Sequence, residues 1–198
     1  MSRLPFDEIN ALNKSRLPVR ELDGIQARLE RHFDNAGHIK SRKDCEDIID
    51  ELLDLYLLAL AEAVNSINEQ YSTRIQPDPQ EVQEIVYQAV DGATWEDRVW
   101  TWFETGGTLP DIVRIAETET TRISNTAALD TATKAGAKEK MWLTMLDNRV
   151  RDTHFYLEGM TVPIDARFYT FDGDSALAPG GFVLPQNNIN CRCELRFN

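Results

Sequence analysis

The stretch KDCEDIIDELLDLYLLALAEAVNSINEQY, Lys43–Tyr71, decides the fold class. Ile48, Leu52, Leu55, Ala59, Ala63 and Ile67 recur at helical spacing and form one apolar stripe. Leu53, Tyr56, Leu57 and Leu60 widen that stripe beyond what one packed face requires, which predicts a helix buried over more than half its circumference. At nearly 30 residues it is longer than the usual globular helix, as suits the central element of a bundle. Asp50, Glu51, Asp54 and Glu62 interrupt it, so it falls short of the roughly 18 uninterrupted apolar residues a membrane span needs.

Helical signals continue on both sides. Upstream, Leu22, Ile25, Leu29 and Phe33 predict a short helix over 21–35, with Gly37 placed to stop it. Downstream, Asp78, Pro79 and Glu81 make a start signal: a capping carboxylate, a proline at the first helical position and a glutamate three residues after the cap. Val82, Ile85, Val86, Ala89 and Val90 supply the apolar face, and Gly92 is placed to break or kink the run. Trp95, Val99 and Trp102 continue it to Gly106–Gly107. A further helix opens at Asp111, faces Ile112, Ile115, Ile123 and Ala127 inward, and ends at Gly136. Its many threonines are weak helix formers, so tertiary contacts must support it.

After Lys140 the texture changes. Gly, Pro, Asp and Asn punctuate short apolar runs, of which MWLTML, TVPI, RFYTF and RCELRF read as strands, LDN, LEG and FDGDS as turns, and APGGFVLPQNNIN as a loop. The expected fold is α+β: a mainly helical body over 1–140, with 1–40 an arm or peripheral helix, and a small α+β module over 141–198.

Charge narrows the function classes. The formal net charge is -12, and residues 41–75 and 76–106 carry -5 and -6 of it. That sign opposes broad attraction to DNA and leaves either a solvated acidic surface or a face for a basic partner. A local DNA contact through the less acidic ends stays open. Three cysteines make no disulfide framework. The first ten residues, MSRLPFDEIN, lack the apolar core of a signal peptide, so nothing in them is expected to direct the chain through a secretion route.

Chemistry-bearing residues concentrate in the C-terminal module. Cys191 and Cys193, two apart on a strand, would point both thiols to one face. Three readings follow: reduced, buried packing thiols; a metal site with His154 as third ligand and Asp147 or Asp152 as fourth; or a redox pair. The spacing departs from that of structural zinc motifs, so the expectation is no cofactor, with zinc the alternative. Asp147, Arg149, Arg151 and His154 also suggest a hydrolase or nuclease pocket built on Asp147 and His154, but no phosphate loop, paired carboxylates or nucleophile motif accompanies them. The expectation is a protein that is not an enzyme. Glu119 and Arg122 share a helix face at i, i+3, which predicts a structural ion pair anchoring this helix on the C-terminal module.

These pieces, taken in order, resemble the phage head morphogenesis, or minor head, family of SPP1 minor head protein-like and Mu F-like proteins. The resemblance runs through Thr118, Glu119, Thr120, Arg122, Asn125 and Ala128, then Trp142, then Asp147, Arg151 and His154, then Gly159 and Phe168, and ends on Asn190, Cys191, Arg192 and Cys193. TWEDRVW at 94–100 is similar to the family's middle helix, and residues 1–75 carry no motif of it. The resemblance implies a structural virion component of the capsid. It would partner the portal protein or the major capsid protein and sit in the head near the portal. It would be assembled in the host cytoplasm and help procapsid assembly, DNA packaging or delivery.

Overall fold

A computed structural model of the chain describes residues 2–3 and 24–198. In chain order the elements are strand β1 (Ser2–Arg3); helix α1 (Ile25–Leu29), continued by a 3-10 turn (Glu30–His32); α2 (Arg42–Tyr71); α3 (Pro79–Val86); α4 (Trp95–Thr105); α5 (Leu109–Lys134); β2 (Glu139–Leu143); α6 (Asp152–Phe155); β3 (Met160–Pro163); β4 (Phe168–Tyr169); β5 (Ser175–Ala176); α7 (Pro185–Asn188); and β6 (Glu194–Phe197). This is the expected α+β class with a helical body.

Side-chain caps define most of the helix starts. Ser41 accepts from the backbone of Asp44 at 3.1 Å to open α2. Asp78 and Glu81 close a capping box around the start of α3, with Pro79 in its first turn. Thr94 and Asp97 do the same for α4. α5 starts earlier than the sequence suggests: Thr108 is the cap, and Asp111 is the box partner that accepts from its backbone and hydroxyl. The 79–105 run divides into two helices because Asp91 and Gly92, both at positive φ, turn the chain within a Val90–Ala93 bridge. The helix predicted over 21–35 is shorter, since Phe33 is already extended and bridges Ile39. Its first three residues lie outside the described ones.

α2 and α5 pack along one another and form the centre of the body. The α2 stripe from Ile48 to Ile67 is buried, as are Ile112, Ile115, Ile123 and Ala127 of α5. Trp95 of α4 lies against Tyr56 of α2, edge to face at 5.0 Å. Leu57 and Leu58 are exposed, so the buried arc of α2 is narrower than its composition suggests.

The C-terminal residues build an antiparallel sheet of order β1-β3-β2-β6. β2 is central, and Lys140, Met141, Trp142 and Leu143 are all buried. It begins before the predicted MWLTML and stops at Leu143, ahead of Leu146 at positive φ. β1 comes from the other end of the chain: Ser2 and Arg3 pair with Thr161 and Met160. β4 and β5 form a separate hairpin, and the predicted loop 178–190 contains the turn α7. Trp142, Leu157, Val162, Phe168 and Phe182 make the core of this half. Phe197 is buried in the helical core, and Leu195 touches both.

Candidate functional site

α5 works in two directions. Residues 118, 121 and 125 fall on one face, and that face holds the C-terminal segment by hydrogen bonds to its backbone. Thr118 Oγ1 accepts from Asn190 N at 3.1 Å, and Thr121 Oγ1 donates to Cys191 O at 2.7 Å. Asn125 donates to Cys193 O at 3.0 Å and accepts from Leu195 N at 3.0 Å. Gly180 presses on the same helix: a Cβ there would stand 2.7 Å from Arg122 Cα.

Glu119 and Arg122 point the other way. The predicted ion pair forms at 2.6 Å between nearly inaccessible side chains. It serves the helical body, not the C-terminal module. Arg122 donates to Ile85 O at 2.7 Å and Val86 O at 3.1 Å, satisfying carbonyls at the end of α3, while Arg98 of α4 donates to Glu119. The expectation that this pair anchors the module is corrected: Thr118, Thr121 and Asn125 do so. Thr120 and Ala128 are buried within the helix packing.

His154, Cys191 and Cys193 come together. The His154 Nδ1 is 3.6 Å from Cys191 Sγ and 3.4 Å from Cys193 Sγ, and all three residues are buried. Their ligand atoms lie within 4.8 Å of one another. The cysteines precede β6 and do not sit on it, so strand alternation is not what aligns them. Hydrogen bonds from α5 to the carbonyls of residues 191 and 193 shape this stretch instead. The imidazole is walled by Phe182, stacked at 5.3 Å, and by Trp142, edge-on at 5.6 Å, which itself meets Phe168 at 5.1 Å. Gly159, at φ 68, returns the chain from α6 to β3 and donates to Trp142 O at 2.9 Å. Cys193 holds the Cys191 thiol well below the usual thiol range through their hydrogen bond, with His154 adding to it. The same contact, together with burial, pushes Cys193 up.

The charged residues nearby form a rim. Asp147 receives both nitrogens of Arg192 at 2.8 Å, a bidentate pair that holds its carboxyl at about 2. Arg151 donates to Ile189 O, and Thr153 meets Asn187 at 3.2 Å. These contacts tie the turn around 147–153 to the 187–192 segment. Asp152 and Arg149 are exposed. The expected carboxylate fourth ligand is therefore not in the cluster: Asp147 is spent on Arg192, and Asp152 faces solvent. Asp147 is thus paired with Arg192, while His154 turns inward to the sulfurs.

Sequence reading missed Gly180, Asn125 as the docking residue, and Asp174. The Asp174 carboxylate accepts from the backbone of Ser175, Val183 and Leu184 and from Asn187, at 2.7–3.1 Å. Burial opposes ionisation there, and these hydrogen bonds outweigh it, lowering the pKa. The paired amides of Asn187 and Asn188, both buried, were the available signal for such a network.

Known proteins share this half of the chain. The family model for Phage Mu protein F like protein matches residues 80–196. The NAD(+)--arginine ADP-ribosyltransferase EFV of Enterococcus faecalis is 34% identical over 48% of this chain and 20% of its own length. The minor head protein GP7 of Bacillus phage SPP1 is 34% identical over 40% of this chain and 27% of its own. The chain thus spans about a fifth to a quarter of the length of these relatives. No solved structure matches it. The matched residues include both faces of α5, the His154 turn and the Cys191–Cys193 segment, and they amount to more than half the chain: it belongs to the phage minor head family of Mu protein F like proteins.

Proposed function

We propose that this chain acts in the phage head by assembly and not by catalysis, binding the portal protein or the adjoining inner capsid surface during procapsid formation. Family membership supports the head role. The observation that carries the binding role is an apolar rim on the C-terminal half. Phe171 and Val183 are 63% and 72% exposed. Phe171 meets the exposed Tyr156 at 6.2 Å, and Asp174 holds Val183 and Leu184 beside the 171–174 turn. Aromatic and aliphatic side chains gathered on one rim suit a protein interface. No helix among the described residues is long and apolar enough to cross a membrane. The acidic charge disfavours packaged DNA as the main partner, leaving it a local contact at most.

The test is co-purification with portal from procapsids. Wild-type chain is expected in the portal-containing fraction. The double variant F171D/V183D, both positions solvent-facing, is expected to stay folded and leave that fraction. Absence of the wild type from procapsids and mature virions alike overturns the proposal. Metal-dependent hydrolysis lost in His154→Ala would point instead to the enzyme built on Asp147 and His154.

A further inference from the structure

We infer that His154, Cys191 and Cys193 bind one zinc ion, which staples the C-terminal segment to α6 and leaves one coordination position for a small exogenous ligand. Three buried soft donors converge from segments almost 40 residues apart in sequence. Thiolate and imidazole together select zinc over hard cations. In a tetrahedral site with Zn–S of about 2.3 Å and Zn–N of about 2.0 Å, sulfur and nitrogen stand about 3.5 Å apart. The two observed separations are 3.6 and 3.4 Å.

Hydrogen bonding alone accounts for less of this geometry. Both sulfurs approach the same nitrogen, yet one imidazole nitrogen has a single lone pair or a single proton to share. A hydrogen-bonded cluster uses the nitrogen for one sulfur and joins the second sulfur to the first, whereas an ion accounts for both sulfurs standing near the same nitrogen. The Nε2 of His154 is buried without a hydrogen-bond partner, so Nδ1 carries the ring's polar contacts. Arg192, paired with Asp147, and Arg151 line the opening that reaches His154 and Cys193. That opening has a volume of about 10 Å³. Such a space admits about one water molecule, which suits the fourth corner of the tetrahedron.

The ion would compensate for a small core. The cluster around Trp142 is modest, and most of its polar ties to α5 run through a few backbone groups. A segment of that size gains much of its folding energy from a bound metal where one is present.

The experiment is metal analysis of the full chain purified under reducing conditions without added metal. About one zinc per chain is expected. Exchange with cobalt(II) should give the strong near-ultraviolet thiolate-to-cobalt absorption. Cys193→Ser and His154→Ala should lose both signals, and Cys45→Ser should keep them. Because the first two substitutions can unfold the module, the wild-type chain is also melted before and after chelation. Chelation is expected to lower Tm, and added zinc to restore it. Substoichiometric metal with no cobalt spectrum and an unmoved Tm would overturn the site. A Cys191–Cys193 disulfide in the freshly reduced and purified chain would do the same. None of these readouts depends on the portal partner, so this site and the proposed function can fail separately.

Discussion

Lys140 occupies the centre of the sheet with no solvent exposure and no hydrogen-bond partner on its ammonium nitrogen, which stands 5.8 Å from the Phe168 ring. Burial pushes its pKa down to about 8. Between that value and the ordinary 10.5 the unfolded chain binds the extra proton, so stability rises with pH through this window. Below pH 8 the folded state must hold a poorly compensated charge. Lys140→Met, of similar volume, is therefore expected to raise the denaturation midpoint at pH 7 and to flatten the rise between pH 8 and 10. A lower midpoint for the variant at pH 7 would show that the ammonium is stabilising where it lies. Nothing in the sequence around Lys140 marked it as buried, because KEKMWL reads as the polar approach to a strand. Its burial follows from β2 taking the central place in the sheet. Gly180 was equally illegible. The dipeptide Gly180–Gly181 is common in loops, and its close approach to the Arg122 backbone depends on a contact 58 positions away.

At the scale of elements, the helices were readable and their neighbours were not. Caps and apolar periodicity are local, so Asp78, Pro79 and the long stripe of α2 announce themselves. The periodicity of α5 likewise separates a 118–121–125 face from a 119–122 face, but it cannot say which neighbour each face meets. The structure makes that assignment testable by hydrogen exchange. Removing Glu119 leaves Arg122 buried without its counter-charge, a loss of about 3–5 kcal/mol. Glu119→Ala is thus expected to speed exchange mainly in 79–105, where Arg122 and Arg98 make their contacts. Asn125→Ala orphans Cys193 O and Leu195 N, at roughly 1–3 kcal/mol for each buried group. Its effect is expected in 190–198. Interchanged patterns, with Glu119→Ala loosening the C-terminal strand, would restore the earlier assignment of the ion pair as the module's anchor.

For the whole molecule, the change of texture after Lys140 is visible in sequence, yet the two halves share more than that change suggests. β1 joins the C-terminal sheet from the opposite end of the chain, and a two-residue strand carries no pattern by which it could be found. The convergence of His154 with the cysteines has no local signature, because tertiary packing decides it. β6 spans the division: Phe197 belongs to the helical core, Leu195 touches both cores, and Asn125 is bonded to the backbone of residues 193 and 195. We therefore expect residues 24–198 to unfold as one cooperative unit. Trp142 lies in the C-terminal core, while Trp95, Trp100 and Trp102 belong to the helical part. In a variant with those three replaced by Phe, Trp142 fluorescence reports the C-terminal core and far-ultraviolet ellipticity reports mainly the helices. The two denaturant midpoints should coincide, whatever stability the replacements cost. An earlier fluorescence midpoint would mean that the contacts of α5 with residues 190–195 and the burial of Phe197 are too weak to couple the halves, and 141–198 would then be an independent unit.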